Sequence, residues 1–332
     1  MKKIIVAVMA VMVASAAMAQ DAPQDSLRDA HQEQEKGFFQ RLKEWRIGKL
    51  ESKCDTNYLA IPEYDWCSRV GDVSEFNSYR FNLGDGQYKE GKSGYNNRIR
   101  VGLYWRGIGL SWGIGINKNI DRNLSLGLNG NKIGGNFNWQ QNNRMIGLDN
   151  VDFNHLDLNI YYVFNPRKYS INAVTRHTFI QKKSAGSFFL TADFNRSVVK
   201  LHKDNKDDVL VASNPIFNNA YHQLRAALGA GYGYNLSFRQ GKFVLHASYA
   251  PNVNFLNVIR QYDINNENGE LFSSSLGLAY GHNISVGGFY DIRHRIVIGF
   301  LGSDRYSMGN ASIPYSVAYN GCGIEGYVKV RF

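Results

Sequence analysis

The sequence predicts an all-β fold, a transmembrane antiparallel up-and-down β-barrel, on three observations. The first is unbroken alternation at the end of the chain. Cys322, Ile324, Gly326, Val328, Val330 and Phe332 fall on one face of a strand, and Glu325, Tyr327, Lys329 and Arg331 on the other, because strand side chains have a period of two. The second is the recurrence of that pattern along most of the chain, apolar on one face and polar on the other, as a wall between lipid and lumen requires. The third is an export signal: basic Lys2 and Lys3, an apolar run from Ile4 to Ala14, and a small-x-small site at Ala17-Met18-Ala19 before Gln20.

Composition fits this class. The chain has 33 Gly, 20 Tyr and 19 Phe against 6 Pro, and its mean hydropathy is negative, since alternation hides apolar faces from an average. Beyond the signal no run is long and apolar enough for a membrane helix, so a spanning chain must cross as strands. The net charge of +10 raises nucleic acid as a partner, but the charges lie on strand faces and turns, with no basic helix or nucleic-acid motif, which argues against it.

Residues 1–19 read as the signal peptide, residues 20–75 as an N-terminal periplasmic segment, and residues 76–332 as the barrel. Within the segment, Phe38, Phe39, Leu42, Trp45 and Leu50 recur near helical spacing among Arg41, Lys43, Arg46 and Lys49, which predicts a short amphipathic basic helix, packed on the barrel or its own neighbours, or lying on the inner-leaflet surface or plugging the barrel mouth. Cys54 and Cys67 fall in this oxidising compartment, so a disulfide between them is open. Two cysteines without spaced histidines argue against a metal site, and no cofactor motif is read.

The barrel strands follow in order. Ile99, Val101, Leu103 and Trp105 alternate with Arg98, Arg100, Gly102 and Tyr104; the Arg106-Gly107 turn then leads to Ile108, Leu110, Trp112, Ile114 and Ile116, a hairpin with one greasy face. Leu156, Leu158, Ile160, Tyr162 and Phe164 form a further outward face, and the Asn165 to Lys168 turn leads into a strand at 169–176. More strands are expected at 186–198, 222–238, 242–250, 272–281 and 295–302. Long links at 199–220, 255–270 and 304–319 alternate with short ones, which orients the chain with its Phe332 end and the 181–186 turn in the periplasm. The count is twelve strands; 118–141 and 282–295 each leave room for one hairpin more or fewer, so ten or fourteen stay open.

Asp55 to Leu59, the Gly102 to Gly115 hairpin, Tyr162 to Asn165 followed by Lys168 to Ser170, Gln181 to Ser187, and Gly231 to Tyr234 resemble an uncharacterised family of bacterial outer-membrane barrels classed as a domain of unknown function. The resemblance covers roughly residues 54–332 and is most specific at 181–187. It implies a barrel in the cell outer membrane and supplies no activity.

Lumen-lining candidates are the polar-phase residues Arg98, Arg100, His155, Asp157, Asp193, Arg225, His246, Glu325, Lys329 and Arg331. They are expected either to fill the barrel with paired charges or to form a constriction that selects charged or sugar solutes. The leading reading is a non-enzymatic narrow channel or structural barrel. The alternatives are a lipid-modifying enzyme, for which His177 with Ser184 or Ser187 is the local cluster to test, and an adhesin or binding scaffold using the long loops. Expected partners are outer-membrane lipids and the barrel-assembly machinery, with Phe332 as the assembly signal.

Overall fold

The computed structural model describes residues 44, 47–48, 54–84, 87–92, 96–116, 121–142, 151–175, 179–201, 219–263, 266–276, 278–292, 295–308 and 317–332. The predicted signal lies outside them, as does the amphipathic helix except for helical Glu44, Ile47 and Gly48.

Twelve antiparallel strands close on themselves. They are β1 (Trp66–Gly84), β2 (Asn96–Trp105), β3 (Ile108–Gly115), β4 (Asp121–Asn129), β5 (Ile133–Asn142) and β6 (Val151–Val163), then β7 (Ala185–Leu201), β8 (Asn219–Phe238), β9 (Phe243–Asp263), β10 (Ala279–Ile292), β11 (Ile296–Ser307) and β12 (Val317–Arg331). Each pairs with the next, and β12 returns to β1 from Arg331 opposite Cys67 to Val317 opposite Phe81, so no barrel edge is left open. Gln87–Lys92 and Asn266–Leu276 continue β2 and β10 outward as partners of β1 and β9.

The alternation read from the sequence becomes two faces. Leu103, Ile108, Leu110, Trp112 and Ile114 are exposed, while Tyr104 and Ser111 are buried. An apolar belt of this extent on a wall with a polar interior is the lipid face of a membrane barrel. At the β2–β3 turn Arg106 has φ 43° and Gly107 φ 90°, the pair of positive values that a two-residue hairpin needs and that glycine adopts without strain. In β9 Phe255 is an extra residue, since Ala226 pairs with Leu256 and Ala227 with Asn254. This bulge keeps both Asn254 and Asn257 buried on the inner side.

Four expectations are corrected. The first barrel strand begins at Trp66 and not near residue 76, because the 66–75 stretch pairs with both β12 and β2. Residues 255–270 are no loop, since β9 runs on to Asp263 and pairs with the Asn266–Leu276 extension. Cys54 and Cys67 share no disulfide: both are thiols, with Cys54 Sγ at 3.7 Å from Asn131 Nδ2 and Cys67 in the wall of β1.

The fourth correction matters most. The described residues after the 165–168 turn form no barrel strand; 164–175 and 179–184, between β6 and β7, fold into the barrel mouth. Within them Asn172–Thr175 is a single helical turn, α1, and Ile180–Gln181 pairs with Leu59–Ala60 of the N-terminal segment.

Candidate functional site

The lumen has two levels. At the Phe332 end it is filled. Val174 of α1 is buried against Val244, Phe289, Val297 and Tyr327, inward residues of β9 to β12, with Leu301 beside them. Tyr169, Ala185 and Phe189 form a second cluster with Tyr161, Val163 and Ala250. Inward glycines make the space: a Cβ at Gly233 would collide with the Tyr169 hydroxyl.

The barrel wall supplies donors to the carbonyls of α1. Tyr327 Oη donates to the Val174 carbonyl at 3.2 Å, and Arg69 Nη1 and Lys329 Nζ donate to the Thr175 carbonyl at 3.2 and 3.4 Å. Glu325 holds the arrangement: it pairs with Arg69 and, at 2.8 Å, with Arg100. Lys329 Nζ lies 5.0 Å over the Tyr104 ring, and Arg69 lies 4.1 Å over that of Tyr327.

On the opposite wall Gln181 ties the segment to itself and to β8. Its Nε2 donates to the carbonyls of Lys168 and Lys183 at 2.7 and 2.8 Å, and its Oε1 accepts from Ser170 N at 3.2 Å and Asn235 Nδ2 at 3.0 Å. Asn235 also donates to the Ser170 carbonyl at 2.8 Å, and its Oδ1 faces His246 Nδ1 at 2.8 Å. Asn172 Nδ2 donates to Tyr161 Oη. Burial pushes the Tyr169 phenol above its ordinary pKa, so it stays neutral.

Above this plug lies a cavity of about 370 Å³, floored by Ile171, Asn172 and Thr175. A bridge crosses the lumen at its upper limit: Arg305 of β11 pairs with Asp157 of β6, and Asp157 also accepts from Asn195 at 3.1 Å. The Arg305 side chain keeps 47% exposure against 3% for Asp157, so the guanidinium faces the wet side. Beyond the bridge a smaller cavity of about 60 Å³ is lined by Ser197, Gln223 and Arg225, among others.

The sequence-predicted lumen residues divide between these levels. Glu325, Lys329 and Arg331 belong to the filled end, where Arg331 pairs with Asp291 at 2.5 Å; Arg100 reaches from Glu325 into the wall of the larger cavity, and Arg98, buried farther along β2, pairs with Glu75 and with Asp121 at 2.9 Å. His155, Asp157, Asp193 and Arg225 line the cavities, with Asp193 accepting from Asn159 at 2.6 Å; His246 lines the larger one. Sequence reading missed Arg69, placed before the barrel, and Arg305, placed in a loop. It also missed the plug, whose signal was the distinctive run beginning at Gln181.

The hydrolytic cluster does not assemble among the described residues. His177 lies outside them. Ser184 Oγ accepts from Ser237 N at 2.9 Å, and Ser187 Oγ accepts from Asn165 N at 2.8 Å, so both tie chain segments together. A different pair does meet: His155 Nδ1 and Ser197 Oγ are 2.9 Å apart on the inner face, with the imidazole stacked on Phe153 and Tyr319. Among the described residues no group of three or more His, Cys, Asp or Glu is placed to hold a metal ion.

The chain belongs to the family DUF4421, a domain of unknown function, whose model matches residues 53–293. No curated protein matches it. Among solved structures it is similar to the outer membrane protease OmpT from Escherichia coli, at 12% identity over 82% of this chain and 97% of that one, with a TM-score of 0.39. It is also similar to the translocator domain of the autotransporter NalP from Neisseria meningitidis (8%, 88% and 95%, 0.31) and the transport unit of the autotransporter AIDA-I from Escherichia coli (14%, 87% and 97%, 0.34). At such identities no activity passes from them to this chain.

Proposed function

We propose that this chain is a non-enzymatic outer-membrane barrel that admits a small polar solute from its loop end and is gated at its periplasmic end by its own residues 164–175 and 179–184. Phe332 and the lipid-facing belt would serve insertion by the barrel-assembly machinery among outer-membrane lipids. The observation that carries the reading is the capture of α1: the Val174 and Thr175 carbonyls accept from Tyr327, Arg69 and Lys329, three residues of the wall.

Such bonds release more readily than a covalent connection. Each charge-assisted hydrogen bond contributes about 1.5–3 kcal/mol, so losing two of them shifts the plug between closed and open without unfolding twelve strands. A filled mouth with paired charges also serves a purely structural barrel, and conductance separates the two.

In planar bilayers the wild type should stay mostly closed with rare openings, and Arg69→Ala combined with Lys329→Ala should raise the open fraction while the folded, heat-modifiable species persists. An unchanged open fraction in the folded double variant overturns the gating reading in favour of a sealed barrel. The His155–Ser197 contact favours a second reading, acyl transfer inside the lumen. Covalent labelling of Ser197 by a fluorophosphonate, abolished by His155→Ala, is the result that would replace the first reading with it.

A further inference from the structure

We infer that the cavity above the plug is a binding site for a neutral polyhydroxylated solute, a sugar, and not for an ion; this rests on the solute-admitting reading above. Size comes first. At about 370 Å³ the cavity has room for roughly a dozen waters at ~30 Å³ each, a volume comparable to a hexose or a small disaccharide and within the range of ligand pockets.

The chemistry of the wall then decides the class. Carboxamides recur around it, from Asn136, Asn138 and Gln140 on β5 to Asn159 on β6, Asn172 on α1 and Asn283 on β10, with hydroxyls between them. A carboxamide offers a carbonyl acceptor and an amide donor side by side, and a sugar hydroxyl both donates and accepts, so the two sets match. Part of this set is already fixed in the wall: Asn138 Oδ1 accepts from Asn123 at 2.9 Å, and Asn159 Nδ2 donates to Asp193 at 2.6 Å. Each bond holds one end of an amide and leaves the other, a donor on Asn138 and an acceptor on Asn159. Two more lining side chains, Gln140 through Nε2 and Thr191 through Oγ1, carry a buried polar atom without a protein hydrogen-bond partner. Buried polar groups are rarely left so unless water or a ligand completes them.

The charges in the same wall are already matched. Arg100 is engaged by Glu325 and Glu75, and Arg305 by Asp157. An entering anion or cation has to compete with the partner that each of these charges already holds. A neutral polyol makes no such demand.

The test uses one carbon skeleton in three charge states. With folded full-length protein in detergent, saturation-transfer NMR and calorimetry should detect glucose or maltose, while gluconate and glucosamine at the same concentration neither bind comparably nor displace them. Asn138→Leu with Asn159→Leu should weaken sugar binding at least tenfold. Thr191→Val, nearly isosteric, should weaken it a few-fold and serves as the readout if the double variant fails to fold. Absence of glucose and maltose binding to folded wild type, equal or tighter binding of gluconate, or undiminished binding in folded variants overturns the proposal. The conductance of the Arg69/Lys329 variant is measured with simple salt and does not involve sugar, so the gating reading stands or falls separately.

Discussion

The two levels of this lumen are built by the same twelve strands with the same inward phase, yet one is packed and the other is wet. At the Phe332 end the inward positions carry Tyr104, Val244, Phe289, Val297 and Tyr327, and α1 occupies the remaining space so that Val174 is fully buried. Toward the loop end many of the inward positions carry Asn, Ser and Thr, and Arg305, which bridges to Asp157, stays half exposed. Closure of a barrel fixes its bore. What fills the bore is decided by side-chain volume and by whether a connecting segment can supply apolar and hydrogen-bonding groups that match the wall. The charges follow the same division. At the packed end each cation has an acid, a carbonyl or an aromatic face, as buried charges require; in the cavity the Arg305–Asp157 pair can exchange with water.

The strongest way to break the contrast is to put a charge into the packed level. Val174→Asp sets a carboxylate against four apolar residues, an arrangement that costs on the order of several kcal/mol when unpaired. The plug should be expelled, bilayer conductance should become steady, and heat-modifiability should show the barrel intact. A closed pore in this variant would mean that the 164–184 segment is not what blocks the mouth.

A second test sharpens the contrast between wall faces. Val328 is 36% exposed on the outer face and its neighbour Lys329 is 0% exposed on the inner one. Val328→Arg should lower folding stability in lipid vesicles by about 1–4 kcal/mol according to depth. Lys329→Met should remove the bond to the Thr175 carbonyl and destabilise the plug by about 1–3 kcal/mol, read as faster proteolysis at the 164–184 segment. If Val328→Arg is silent and Lys329→Leu abolishes folding, the phase of β12 is reversed, since a one-residue slip exchanges the two faces.

A smaller effect is expected at Gln181, where the side chain bonds three partners in the plug and Asn235 of β8. Gln181→Leu leaves the Lys168 and Lys183 carbonyls, Ser170 N and Asn235 short of a partner. Plug opening should become easier by about 1–3 kcal/mol, measurable as hydrogen exchange at 168–184 with little change in the strands.

The smallest effect belongs to Tyr169. Its ring is buried while its hydroxyl lacks a hydrogen-bond partner in the protein, so Tyr169→Phe should change stability by less than about 1 kcal/mol, in the stabilising direction. Because burial raises the phenol pKa, the folded segment binds its proton more tightly than the unfolded one. That stability is complete below the unfolded value of about 10 and is lost as pH climbs from there toward the folded value. Hydrogen exchange of the plug should therefore accelerate above about pH 10 in the wild type, and less steeply in Tyr169→Phe.

The barrel itself was legible because its determinants are local. Alternation at period two in stretches such as 99–116 and 322–332 states which side chains meet lipid and which meet the lumen, and the Arg-Gly turn at 106–107 states where the chain reverses. From these the wall and the inward phase of Glu325, Lys329 and Arg331 could be argued residue by residue, whereas the count of twelve left ten and fourteen open and included a strand at 169–176 that is not part of the wall. The edges of the barrel were less legible. Residues 66–75 became strand because β12, distant in sequence, offered them backbone hydrogen bonds, and 255–263 because β8 and the adjoining 266–276 extension did; a strand is completed only by its neighbour.

The plug and the cavity were decided by tertiary structure alone. Nothing in the order of residues 164–184 says that Val174 will meet Val244, Phe289, Val297 and Tyr327, or that Arg69 and Lys329 will converge on one carbonyl of α1, because those contacts exist only after the sheet has closed and brought β1 beside β12. Pairing partners in the lumen are likewise chosen across the bore, as Arg305 and Asp157 show from strands well separated around the barrel. The sequence by itself determined the wall and its two faces, since side-chain direction along a strand is a property of the backbone. Only closure determined what the inner face encloses, since that depends on distances between residues that have no relation along the chain.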